Sequence, residues 1–403
     1  MHASWSQHLR LERFAGALLP LIAVAGALLI GAVVLVLLDK NPTEAYREMV
    51  AGAFTNKNGL ADTFVKAIPL LLVGLGIVIA FRASVINIGA EGQLIVGALL
   101  ATFLALELGE RLPGFMVMII CLLGGSLVGA GWAAIPGYLK ARLGVNEILS
   151  TIMMNQVAIQ VGFYLLRGPM IDPEEIAAGT NIPHSARLPR TTDLPRFTDV
   201  AKGLGFTESA RDLEMSGLSG ELYGLLVEPT RLHLGLFIAI ILAILVYIFL
   251  WRTTIGYRIR AVGLNPHASR YAGIRVPRYI ILSMSLSGAF AGLAGALEII
   301  GLHHRMFEPL AVSAGYGFSG IVVALFGKLH PLGVIPSSIL FGGLLVGGDK
   351  MQRAVQVPQV FITALLGLIV LFVVSSEIWS QQRASRQTSE PAPPLEAEAE
   401  ATA

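Results

Sequence analysis

Several of the residues best suited to chemistry in this chain are polar groups set inside apolar runs. Asn87, Glu91 and Gln93 fall in the segment NIGAEGQ, just ahead of a purely apolar stretch that begins at Leu94 and ends before Glu107. That stretch is about 13 residues, or roughly 20 Å of helix, too short to cross a bilayer. The polar segment must therefore share the membrane depth. Asn87 and Glu91 lie on one face if the segment is helical, whereas Gly89 and Gly92 suit a break equally well. A second set, Glu147, Thr151 and Asn155, recurs every four residues along one helical face, with Gln156 and Gln160 beside it. Glu298 is a lone acid near the end of another apolar run, and Tyr316 and Phe318 could stack on a planar solute. Polar groups at this depth have two possible uses. They line a path for a polar solute, or they hold helices together through hydrogen bonds. Both readings stay open at each position.

Other chemistries lack their residues. The only approach to a phosphate loop, Gly320 to Lys328, has the wrong spacing and Leu329 where a hydroxyl is needed. Cys121 is the single cysteine, there is no H-E-x-x-H pair, and His303 with His304 is too little for a metal site. No metal, cofactor or nucleic-acid partner is expected. Nor is an enzyme, since no nucleophile is paired with a base.

The elements that carry these groups follow from composition. Hydrophobic residues make up 54% of the 403 and charged residues 14%, far below the quarter usual in soluble domains. The sequence reads as an all-α polytopic membrane protein of about ten transmembrane helices, with the bilayer as its main solvent. The candidate spans are 17–38, 63–81, 86–106, 115–139, 147–166, 232–251, 280–302, 313–326, 332–347 and 360–378. The first run is too long for a signal-peptide core and is expected to be retained. The eighth and ninth are short and glycine-rich, which suits broken or re-entrant helices. Among the 44 glycines, Gly125 with Gly129, Gly288 with Gly292, and Gly343 with Gly347 have the four-residue spacing that lets helices approach closely.

Lysine and arginine in the short loops orient the chain. Arg10, Arg13, Lys140, Arg142, Arg258, Arg260, Arg275, Arg278 and Lys328 fall on one side, taken as cytoplasmic, which places both termini inside. The expected organisation is a cytoplasmic N-terminus at 1–16, a membrane domain over 17–378 and a disordered cytoplasmic tail at 379–403. Within the membrane domain, 167–231 is a long extracytoplasmic loop, proline-rich and then helix-compatible over 209–226, suited to docking or to solvation. Residues 252–278 form a cytoplasmic loop. There Asn265 caps, Pro266 opens and Gly273 ends a helix of about two turns that also holds His267, Ala268, Arg270 and Tyr271. So short a helix is unstable alone in water and needs a partner surface, unless it is an ordinary connecting turn.

The segments AFRASVINIGAEGQLIVGA, GVNEILSTIMMN, AVGLNPHASRYAGI and AGYGFSGIVVALFGKLHPLG, in this order, resemble permease subunits of ATP-binding-cassette importers in the nucleoside and simple-sugar branch. The likeness runs from about Asn41 to Ile378. It implies an importer permease fold whose cytoplasmic coupling helix, Asn265 to Gly273, docks on a separate ATPase subunit. It also implies a second permease chain, usually a different one, an extracytoplasmic substrate-binding protein, and a bacterial plasma membrane location. Under this reading Asn87, Glu91, Gln93, Glu147, Thr151, Asn155, Glu298 and Phe318 are candidates for the substrate pathway. The alternative is a secondary transporter of a small polar solute, driven by an ion gradient through Glu91, Glu147 and Glu298.

Overall fold

A chain in hydrocarbon has no water for its backbone groups, so apolar segments must close their own hydrogen bonds. The computed structural model describes residues 22, 24–180, 182–206, 217–358, 360–369, 371, 372 and 375, and all ten apolar runs carry helix within them. The expected termini at 1–16 and 379–403, and residues 209–216 of the helix-compatible stretch, lie outside the described residues. In chain order the helices are α1 Val24–Leu37, α2 Pro42–Phe54, α3 Lys57–Arg82, α4 Ala90–Leu108, α5 Gly114–Leu143 and α6 Glu147–Arg167. Three short ones follow in the long loop: α7 Pro173–Ala178, α8 Phe197–Gly203 and α9 Gly217–Val227. Then come α10 Gly235–Arg252, α11 Thr254–Leu264, α12 Pro266–Tyr271, α13 Val276–Glu298, α14 Pro309–Ser313, α15 Tyr316–Phe326, α16 Pro331–Val355 and α17 Val360–Ile369. No strand occurs among the described residues, only an isolated bridge between Arg196 and His233.

Eight segments are long and apolar enough to cross a membrane: α3, α4, α5, α6, α10, α13 with its π-helical end Ile299–His303, α14 with α15, and α16. The described parts of the first and last runs, α1 and α17, are shorter. The eighth run is broken as expected, because Ala314 and Gly315 both take left-handed backbone (φ 45° and 73°) between α14 and α15. The ninth differs from the expectation. Its 25 residues form one continuous helix with Pro336 inside it, since its glycines serve close packing rather than a break.

The chain divides into two units. In the smaller, drawn from Met1–Pro42 and Thr363–Ala403, Gly26 of α1 packs against the Phe372 ring. The larger, Thr43–Ile362, is built around α3, which is apolar on all sides and buries Leu70, Leu72, Leu75 and Ile77 completely. By contrast α5, α6 and α10 keep Leu127, Met153 and Ile241 exposed, the pattern of helices that face lipid. A close seam joins α5 to α13. A Cβ on Gly292 would stand 2.1 Å from the Gly125 carbonyl oxygen, and one on Gly288 would stand 2.2 Å from that of Gly129. Two of the three glycine pairs picked out by spacing thus face each other.

Gly292→Val should break this seam at a cost of about 1–3 kcal/mol or more, seen as a lower apparent Tm after extraction. Gly131→Ala, also in α5 but with no heavy atom within 4 Å of the new methyl, should change little. Equal stability of the two variants would contradict the seam.

Candidate functional site

Of the polar residues singled out from the sequence, Asn87, Glu91, Gln93, Glu147, Thr151 and Asn155 fall into one buried knot, while Gln156 and Gln160 are exposed on α6. The backbone is non-helical through 85–88, and α4 starts only at Ala90, so Asn87 and Glu91 do not share a helical face. Asn87 instead pairs with Gln93 amide to amide: its Nδ2 donates to Gln93 Oε1 at 2.9 Å, and Gln93 Nε2 donates back to Asn87 Oδ1 at 3.1 Å. Asn87 Nδ2 also reaches Ser287 Oγ of α13 at 2.9 Å. From α6, Asn155 Oδ1 accepts from Gly92 N at 2.8 Å and Nδ2 donates to Ile88 O at 2.9 Å, tying down the start of α4. Glu91 reaches the other way. Its two carboxyl oxygens accept from Gly315 N at 3.2 Å and Gly317 N at 2.8 Å, holding the start of α15. Thr151 Oγ1 donates to the Glu147 carbonyl at 2.6 Å, and the Glu147 carboxylate pairs with Lys140 Nζ at 2.8 Å. Asn87, Glu91, Gln93, Glu147, Thr151 and Asn155 are all buried, and none lines a cavity described below.

Glu298 and Phe318 lie apart from the knot as well. Phe318 is 51% exposed on α15, away from the cavities. Glu298 lines a cavity of about 760 Å³ at the end of the bundle that carries the 167–231 loop. Its walls come from the start of α3 (Asp62, Lys66), the end of α13 (Glu298, His303), Thr230, Tyr316 and the end of α16 (Asp349). Lys66 Nζ bonds Asp349 Oδ2 at 2.9 Å across it. These two residues are 283 positions apart, so spacing offered no sign of the pair. Of the two aromatic residues considered for stacking, Tyr316 is on the wall and Phe318 is not.

The long loop packs onto this end. Leu194, Leu188 and Ser185 donate backbone N–H groups to Ile300, His304 and Met306, while Phe197 and Leu225 join Leu60 and Val65 in an apolar cluster. A second cavity of about 560 Å³ adjoins the first and shares Arg196, Arg231 and His303 with it. His304 on its wall is buried, with Nδ1 2.8 Å from Asp193 Oδ1. Burial is the largest influence and lowers the pKa of this imidazole below the ordinary histidine value; Asp193 raises it, and Arg196 and Arg187 lower it further.

At the opposite end the expected capped helix forms as α12. Asn265 Oδ1 accepts from Ala268 N at 2.9 Å, Pro266 occupies the first position, and Gly273 takes φ 79° just past the end. The sequence reading isolated this helix, but α11 precedes it directly. It went unrecognised because Arg258 and Arg260 read as the basic flank of a loop. Ser84 Oγ donates to Gly263 O at 2.6 Å, and the guanidinium groups of Arg82 and Arg260 both approach the Trp251 ring, at 5.2 and 5.6 Å. The segment is thereby clamped to α3. Tyr271 stays 96% exposed and Leu264 89%.

A helical bundle with a polar vestibule at one end and an uncovered short helix at the other is the layout of a multi-pass membrane transport component. Residues 59–374 match the family described as branched-chain amino acid transport system / permease component, and the chain belongs to it. A glucose ABC transporter permease protein of Haloferax volcanii is 34% identical over 367 residues, 90% of this chain and 88% of its own. The guanosine ABC transporter permease protein of Bacillus subtilis is 33% identical (91% and 95% covered), and a nucleoside ABC transporter permease protein of Lactococcus lactis is 30% identical (88% and 90%). No solved structure matches the chain.

Asn155→Ala leaves the Gly92 N–H and the Ile88 carbonyl without partners, and should lower stability by about 1–3 kcal/mol, whereas Phe318→Ala should not. Equal Tm values for the two would contradict the knot. For His304 the sign follows from the lowered pKa. Below about pH 6.5 the unfolded imidazole takes a proton that the folded one declines, so stability is lost as pH falls through this range until the folded pKa is reached. His304→Asn should therefore lose less apparent Tm than the parent between about pH 7.5 and about pH 5.5, and identical losses would contradict the assignment.

Proposed function

We propose that this chain forms part of the translocation path of an ATP-driven importer in a bacterial plasma membrane, and that its solute is a nucleoside or a simple sugar. The observation that carries this reading is the nearly full-length likeness to permeases named for glucose, guanosine and nucleosides. In this account both termini and the 252–278 segment are cytoplasmic, and the 167–231 loop is extracytoplasmic. An ABC ATPase subunit seats on α12 through residues Asn265 to Gly273. A substrate-binding protein delivers solute to the cavity at the loop end, and a second permease chain, different in sequence, closes the path. Glu298 and Tyr316 then face the solute. Asn87, Glu91, Gln93, Glu147, Thr151 and Asn155 hold the frame around it, and Phe318 would reach the path only from the side that the second chain closes.

The geometry supports this over an ion-driven carrier. Glu91 has both oxygens occupied by backbone N–H groups and Glu147 is paired with Lys140, so two of the three acids such a carrier would use are already engaged. The exposed Tyr271 on a capped two-turn helix suits a protein partner.

Tyr271→Glu or Arg270→Glu should leave the amount of protein in the membrane unchanged, release the ATPase on purification, and cut uptake on the order of tenfold or more. Normal uptake in both variants would contradict the assignment.

A further inference from the structure

The loop-end cavity has polar groups that the fold leaves unused. Glu298 is 2% exposed and Thr230 6%, yet Glu298 Oε2 and Thr230 Oγ1 have no hydrogen-bond partner among the described residues. Buried polar atoms are nearly always paired, so an unpaired atom needs an explanation such as a ligand. Here two of them belong to residues of one cavity wall. His303 Nε2 stands 3.4 Å from Glu298 Oε2, an ion pair only when the imidazole is protonated. Both side chains line the cavity, so a hydroxyl group entering it can take the place of the imidazole beside that oxygen. Apart from these, the wall presents Asp62, the Lys66–Asp349 pair and the basic groups of Arg196, Arg231, Lys350 and Arg353, which can donate to a hydroxyl oxygen. Its volume of about 760 Å³ lies within the range of small-molecule sites.

The wall is poor in what a planar base needs. Tyr316 is its one Phe, Tyr or Trp among the described residues, and that ring is itself buried. Stacking a base calls for an open aromatic face, and no Phe, Tyr or Trp of the wall offers one. Acceptors suited to hydroxyl groups are plentiful, and a carboxyl group can take two adjacent hydroxyls at once, one on each oxygen.

We infer that this cavity recognises the vicinal hydroxyls of a sugar ring, with Glu298 as the main acceptor and Thr230 beside it, and that it is indifferent to any base attached to the ring. The inference rests on the importer reading and narrows it: a hexose and a ribonucleoside share this feature, so one site serves either.

The test uses the complete transporter, with its ATPase, partner permease and binding protein, reconstituted in liposomes. Initial uptake rates of guanosine and of 2′,3′-dideoxyguanosine are measured for the parent, Glu298→Gln and Thr230→Val. Discrimination by the binding protein is common to all three, so a change in the ratio of the two rates belongs to this chain. The ratio is expected to fall on the order of tenfold in Glu298→Gln, and less in Thr230→Val. Parallel loss of both rates, or an unchanged ratio in both variants, would overturn the inference while leaving the importer reading intact. If Glu298→Gln fails to assemble, Thr230→Val decides on the same ratio. Should the parent import neither guanosine nor glucose, the proposed function falls and this inference falls with it.

Discussion

A helix that begins inside hydrocarbon leaves its first N–H groups without water, and something in the protein must accept from them. Two helices of this bundle begin that way. The start of α4 is met by Asn155 of α6, which accepts from Gly92 N, and the start of α15 is met by Glu91 of α4, which accepts from Gly315 N and Gly317 N. The rest of the interior depends on these contacts. Tyr316 stands between the two glycines that Glu91 holds, so the same carboxyl that closes the backbone of α15 also places a wall of the loop-end cavity. Closeness of backbone completes the arrangement. A Cβ on Gly317 would stand 2.2 Å from Glu91 N, which leaves no room there for any other residue.

The two ends of the molecule are joined by one continuous element. α13 starts at Val276, shortly after α12 ends at Tyr271, and runs through its π-helical end to His303 beside the cavity. Under the proposed function, a push on α12 is passed along α13 to Glu298 and His303. The contacts of Arg82 and Arg260 with the Trp251 ring hold α11 against absorbing the movement and link it to α3 as well. The glycine seam with α5 lets α13 lie against its neighbour with backbone in contact, so the transmission runs through a stiff pair of helices rather than through flexible side chains.

Much of this was legible in the sequence because lipid imposes strong constraints on it. The ten apolar runs, the broken eighth span, the capped α12 and two of the three glycine pairs all follow from local rules of length, capping and spacing. The polar residues at membrane depth were also found by type, and Glu91, Gln93 and Asn155 are indeed buried. Their uses could not be read, because a solute path and a hydrogen-bonded knot require the same residues, and only the partners tell them apart. Those partners are distant in the chain: Glu91 meets Gly317 across 226 positions, and Lys66 meets Asp349 across 283. Thr230 carried no signal at all, lying in a long loop with no periodicity. The ninth run was misread because its glycines suggested a break, while in the structure Gly343 and Gly347 receive Phe54 and Met49 of α2.

The central claim is that this chain works only as one member of an ATP-driven assembly. Native mass spectrometry after gentle extraction from the source membrane tests it most directly. The account predicts a complex in which this chain is bound to an ATPase subunit and to a second permease chain of different mass. A chain that emerges alone, under conditions in which other multisubunit transporters of the same membrane stay intact, would contradict it.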